Sequence, residues 1–97
     1  MNGPEPGADM PRARAGWWVY VVRCADGTLY TGVTNDVPRR VERHNAGTAS
    51  KYTRARRPVE LAYREPARGR GAALRREAAI KRLTRRAKES LIAAARE

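Results

Sequence analysis

Phenylalanine is absent from this 97-residue chain, and cysteine and histidine occur once each, at Cys24 and His44. A single cysteine excludes an intramolecular disulfide and fits a reducing, cytoplasmic setting. It has no CxxC partner and no neighbouring histidine, so it reads as a small core residue. No run is apolar enough to act as a signal peptide or to span a membrane. There is no internal repeat, no heptad run and no paired acidic motif. Acids are scarce altogether: 10 Asp and Glu stand against 21 Lys and Arg, for a formal net charge of +11.

That surplus is concentrated in one part of the chain. Residues 1–15 are rich in Pro, Gly and Ala, lack hydrophobic periodicity, and balance Arg12 and Arg14 with Glu5 and Asp9. They read as a neutral, disordered tail. Residues 16–97 read as one domain with room for one modest core, and they carry the whole charge excess. A domain this basic is drawn to polyanions, so the partner it predicts is nucleic acid.

The stretch that organises the domain is Trp17 to Val33. Two runs rich in β-branched and aromatic residues flank Ala25-Asp26-Gly27, which predicts a β-hairpin. A two-residue turn at Asp26-Gly27 would send Tyr20 and Tyr30 to opposite faces, because side chains alternate along a strand. A three-residue loop pairs Cys24 with Thr28, and Gly27 supplies the left-handed residue that such a loop requires. Tyr20 then lies opposite Gly32 and Tyr30 opposite Val22, with both phenols on one face. The three-residue loop is the expected one.

Asp36 or Asn35 can cap a following helix, Pro38 suits its first turn, and Gly47 stands where a C-cap glycine belongs. Its inward stripe is Val37, Arg40, Val41 and His44, with Arg39, Glu42 and Arg43 outward. Residues 46–57 show no period and read as a basic loop. Val59 to Arg64 reads as a third strand bounded by Pro58 and Pro66. Gly71 to Leu83 reads as a helix with Ala73, Leu74, Ala78 and Ile80 as its apolar set. Thr84 caps a last helix through about Ala95, with Ala87, Leu91, Ile92 and Ala95 apolar. The predicted order is β-β-α-β-α-α, an α/β (α+β) fold with a small three-stranded antiparallel sheet flanked by helices.

Several side chains sit where folding alone does not call for them. Arg40 lies on a core-facing stripe, where an unpaired charge is costly, so it either snorkels to the rim or holds an anion. His44, one turn on, is a satisfied structural group, a phosphate ligand or a proton relay. Glu77 lies within an apolar stripe beside Arg75, Arg76, Lys81 and Arg82, and a salt bridge to one of them is its ordinary explanation. A tyrosine pair across a hairpin is ordinarily packing.

The framed triplets Val19-Tyr20-Val21 and Tyr30-Thr31-Gly32 resemble the paired motifs of the GIY-YIG nuclease superfamily, with valine and threonine in place of the isoleucines. His44-Asn45-Ala46-Gly47, Lys51-Tyr52-Thr53, Arg57-Pro58 and Arg75-Arg76-Glu77 resemble its small single-domain bacterial branch. The resemblance spans about residues 17–92. It implies that Arg40 is the catalytic arginine that follows the second motif, binding the scissile phosphate. Glu77 is then the glutamate that ligates one divalent ion, Mg²⁺ or Mn²⁺. The lack of a paired acidic motif argues against a two-metal nuclease.

The same resemblance makes Tyr20 and Tyr30 catalytic, one as general base and one as orienting group, without saying which. A phenol titrates near about 10, and a neighbouring guanidinium and metal ion lower that value. His44 joins the catalytic set. Gly32, Lys51, Tyr52, Thr53, Arg54 and Arg57 are the expected nucleic-acid contacts, with the Lys51-Tyr52-Thr53 loop touching phosphates or stacking on a base. One departure stands out: many superfamily members have an asparagine near the domain end, and none follows Asn45 here. The implied activity is metal-dependent endonucleolytic hydrolysis of DNA before RNA, selective for structure in repair or processing. A non-catalytic DNA- or RNA-binding module on the same fold, and an accessory subunit that needs a partner, are the alternatives.

Overall fold

The protein is described from a computed structural model over residues 16–96; the expected tail, residues 1–15, lies outside the described residues. Its sheet is built from β1 (Trp17–Cys24), β2 (Leu29–Thr34) and β3 (Val59–Ala67), and the helices are α1 (Val37–Ala46), α2 (Lys51–Arg54), α3 (Arg70–Lys81) and α4 (Arg85–Ala95). The strands are antiparallel in the order β2-β1-β3.

The hairpin has the odd loop. Gly27 has φ 87°, and Cys24 N–H donates to the Thr28 carbonyl at 2.8 Å. Tyr20 therefore pairs with Gly32 and Val22 with Tyr30. β1 is central, and its residues Val19 to Val22 are all buried because both faces of the sheet are covered. Val19 and Val21 pack with Ala73, Ile80 and Ile92 of α3 and α4. Tyr20, Val22 and Cys24 face the other way, with Val59, Tyr30 and Val41. The result is a three-layer domain with a thin sheet in the middle.

Helix α1 begins and ends as its caps require. The Asp36 side chain accepts from Arg39 N–H, and Gly47 closes the helix with φ 85°. Thr84 caps α4 by accepting from Ala87 N–H. Four expectations need correction. Residues 46–57 are not all loop: Ser50 caps the four-residue helix α2, which is too short to show a period. β3 runs on to Ala67 with Pro66 inside it, opposite Trp18; it is an edge strand, where a missing N–H is tolerated. α3 starts at Arg70, and its buried stripe is Ala73, Glu77 and Ile80, while Leu74 and Ala78 are exposed. In α4, Ile92 is buried and Ala95 is exposed.

Candidate active site

The register of the hairpin puts both phenols under α1, and His44 joins them. Tyr20 Oη lies 2.7 Å from His44 Nε2. The His44 ring also meets the Tyr30 ring edge-on, with centroids 5.3 Å apart. Tyr30 in turn stacks on Tyr52 of α2 at 5.8 Å. The other imidazole nitrogen, Nδ1, is 2.7 Å from Thr53 Oγ1. Burial separates the two tyrosines: Tyr20 is 2 % exposed, whereas Tyr30 is only half-buried.

Burial and charge act together here. Desolvation pushes the Tyr20 phenol far above its ordinary range, and the nearby Arg40 guanidinium offsets only part of that. For Tyr20 the guanidinium's lowering effect, expected for whichever phenol is the base, is outweighed by burial. His44 is held below the usual imidazole value by burial first and by Arg40 second, so it is neutral at pH 7.

Arg40 is half-buried on the inward side of α1, as its period requires, with Arg39 and Arg43 exposed beside it. These three arginines, with Thr34, Asn35 and Asp36, line a hollow of about 210 Å³. Among the described residues no carboxylate pairs with any of the three; Asp36, the one acid in the hollow, is engaged as the helix cap. Three guanidiniums around one hollow repel each other unless an anion sits among them.

Glu77 stands on α3, in the helix layer on the opposite face of the sheet. Its charge is close enough to raise the Tyr20 pKa. Its side chain is 19 % exposed, and its ion-pair partner is Lys81 at 3.3 Å, one turn along and far more exposed. A partner of that kind swings away at little cost. Among the described residues no group of three or more His, Cys, Asp or Glu is placed to hold a metal. Of the described residues, Glu77 is the carboxylate whose oxygens suit a hard cation.

The expected nucleic-acid contacts divide. Lys51, Tyr52 and Arg54 are exposed on α2, although the Tyr52 ring already has Arg56 over it at 3.8 Å. Arg57 is exposed, but it spends its guanidinium on the carbonyls of Arg54 and Asn45. Two contacts are corrected. Thr53 is fully buried, with its hydroxyl on His44, and touches no ligand directly. Gly32 is buried under the Tyr20 ring: a Cβ there would lie 2.6 Å from Tyr20 Oη. Sequence reasoning missed the hollow's Arg39 and Arg43, which it read only as solvent-facing, and the Ser50 cap that makes α2.

Two tyrosines on neighbouring antiparallel strands, an inward arginine on the next helix and a glutamate on the helix after the third strand define a GIY-YIG fold. The family model described as the GIY-YIG catalytic domain matches residues 16–90, and the chain belongs to that family. Within it, the chain is similar to the UPF0213 proteins. It is 51 % identical to UPF0213 protein DP2720 of Desulfotalea psychrophila over 82 residues, 84 % of this chain and 74 % of that one. It is 55 % identical to UPF0213 protein VNG_2274C of Halobacterium salinarum over 73 residues, 75 % of this chain and 95 % of that one. The solution NMR structure of UPF0213 protein BH0048 from Bacillus halodurans superposes with a TM-score of 0.53 at 40 % identity, covering 81 % of this chain and 84 % of that one. Membership supports a nuclease-type domain. Among the described residues no helix is long and apolar enough to cross a membrane.

Proposed function

We propose that this domain is an endonuclease that hydrolyses phosphodiester bonds in nucleic acid, DNA before RNA, with one bound Mg²⁺ or Mn²⁺. The observation that carries the reading is Arg40: a half-buried guanidinium without a carboxylate partner among the described residues, its charge acting on Tyr20 and on His44, whose ring meets Tyr30. Arg40 binds the scissile phosphate and stabilises the charge that builds on it, while Arg39 and Arg43 hold phosphate oxygens in the adjoining hollow. Tyr30, half-buried rather than sealed, is the tyrosine that meets the attacking water and assists its attack, because a group in that role must reach the water. Tyr20 does not: its hydroxyl is engaged with His44 Nε2 and it is 2 % exposed. The water oxygen bonds to phosphorus as the bond to the leaving oxygen breaks. Glu77 is the residue that holds the metal ion, which when bound supplies positive charge to the phosphate and the leaving oxygen.

One observation favours the non-catalytic binding module: Glu77 is already paired with Lys81. A panel of plasmid, nicked, flapped and single-stranded DNA and RNA, with and without Mg²⁺, separates the two. Metal-dependent cleavage lost in Glu77→Ala is the expected result. Tight binding with no cleavage of any member would replace the enzyme with the module.

A further inference from the structure

Beneath the proposed site, four side chains form an unbroken chain of hydrogen bonds from β1 through α1 to the cap of α2. Tyr20 Oη meets His44 Nε2 at 2.7 Å, His44 Nδ1 meets Thr53 Oγ1 at 2.7 Å, and Thr53 Oγ1 meets Ser50 Oγ at 2.8 Å. Tyr20, His44 and Thr53 are each at most 2 % exposed, so water does not substitute for a missing partner.

Counting protons leaves one His44 tautomer that satisfies the chain. Tyr20 has one proton to donate, and among the described residues its only acceptor is His44 Nε2. Nε2 is then bare, and neutral His44 carries its proton on Nδ1. That N–H needs an acceptor, and Thr53 Oγ1 is the one in reach. The Thr53 hydroxyl keeps acceptors of its own in Ser50 Oγ at 2.8 Å and the Ser50 carbonyl at 3.5 Å, while Ser50 Oγ also accepts from Thr53 N–H at 3.1 Å. The opposite tautomer would point Nε2–H at the phenol and leave the Tyr20 O–H buried without an acceptor, a cost that folded proteins avoid.

We propose that Thr53, held by Ser50, is a positioning residue that fixes His44 in the Nδ1–H tautomer and thereby holds Tyr20 and Tyr30 in catalytic register. The proposal rests on the nuclease reading for its effect on rate. The same helix braces the site twice: Thr53 anchors His44, whose ring edge abuts Tyr30, and the adjacent Tyr52 stacks on Tyr30. A hydroxyl that touches no substrate thus sets the orientation of the group that does.

Nitrogen-15 NMR of the imidazole in the full chain, without nucleic acid, reads the tautomer directly. The expected spectrum has a protonated Nδ1 and an acceptor-type Nε2; an Nε2–H form, or an average of the two, overturns the proposal in the wild type alone. Thr53→Val should release the tautomer and lower single-turnover cleavage roughly ten- to hundredfold, the scale of a small misplacement of reacting groups. Nucleic-acid affinity should stay unchanged, and Thr53→Ser should restore both tautomer and rate. A folded Thr53→Val with the wild-type tautomer and rate refutes the idea. If that variant does not fold, Ser50→Ala takes its place: it should loosen the tautomer and lower the rate, and no change in either is refuting. The nuclease reading fails separately: a locked tautomer in a protein that cleaves nothing removes the enzyme and leaves the lock.

Discussion

Gly32 offers the sharpest perturbation of the site, because a single methyl group is aimed at one phenol. A Cβ at that position would lie 2.6 Å from Tyr20 Oη, 2.7 Å from Cζ and 3.0 Å from Cε1. Carbon contacts relax near about 3.5–4.0 Å, so the ring has to retreat by roughly 1 Å. Tyr20 is 2 % exposed and its hydroxyl is tied to His44, so no free volume absorbs that shift. Overpacking of this kind costs about 1–3 kcal/mol, and losing the buried hydrogen bond costs about 1–3 more. Alanine in an ordinary strand conformation returns only about 0.4–1 kcal/mol through the unfolded chain. Gly32→Ala should therefore be destabilised by about 1–5 kcal/mol. For a domain of this size that lowers Tm by at least about 4 °C. Thermal unfolding followed by circular dichroism measures the drop, and the His44 nitrogen resonances report the broken bond. A Tm within about 2 °C of wild type, with the Tyr20–His44 bond intact, would show that β2 yields freely and that Tyr20 is not pinned.

Arg40→Ala should lower single-turnover cleavage at saturating enzyme by about 10²-fold or more, on the scale of one lost oxyanion donor. Arg39→Ala removes the same charge and should alter affinity more than rate; equal rates in the two folded variants refute the assignment. Binding should weaken steeply with salt, and removing Arg39 and Arg43 together should make the log–log slope shallower by about 2, near 0.9 per lost phosphate contact; an unchanged slope means the hollow holds no phosphate. Stability should fall as pH drops below about 6.5, because the unfolded chain protonates a histidine that the folded state keeps neutral. It should fall again from about 4.5 toward about 2, because Arg23 and Arg85 hold the Glu89 carboxyl at about 2 in the folded state. Above pH 10 it should decline as unfolded Tyr20 ionises and buried Tyr20 does not. Urea midpoints across pH test all three limbs, and a stability that rises between pH 7 and 5 contradicts the buried neutral histidine.

What could be read from the chain was what parity and caps control. The strand period of two makes an odd loop the only way to bring Tyr20 and Tyr30 together, and Gly27 permits that loop. Asp36 and Gly47 bound α1, and a ten-residue helix so bounded has one apolar side, which carries Arg40 and His44 inward. α3 gave less. It is rich in alanine and arginine on every side, so two faces fit nearly as well, and Leu74 was assigned to the buried one. Contact with Val19 and Val21 selects the side of Ala73 and Ile80, on which Glu77 is half-buried. The sequence reads Thr53 as a nucleic-acid contact in a basic loop, because its structural role depends on a helix of four residues and on His44, nine positions back. Tertiary contacts of that kind leave no periodic trace.

The different roles of the two tyrosines come from the one feature of the sheet that the hairpin cannot specify: which strand is central. A hairpin places Tyr20 and Tyr30 side by side whether the third strand joins β1 or β2. Here β3 pairs with β1 and leaves β2 at the edge. Tyr20 therefore has a strand on each side and α1 above it, and its phenol ends on His44. Tyr30 stands on the edge strand, where Val22 closes one flank and no strand closes the other, and it is half-buried. Had β3 joined β2, the burial would be exchanged, and with it the choice of which phenol can meet water. The same edge brings the start of α1 directly after β2, so Arg40 follows Tyr30 by ten positions, and its charge acts on Tyr20 and on His44, whose ring meets Tyr30. The proposed division of labour, a buried tyrosine that donates to histidine and an edge tyrosine that meets water, is thus a consequence of strand order acting on two residues that look alike in the sequence.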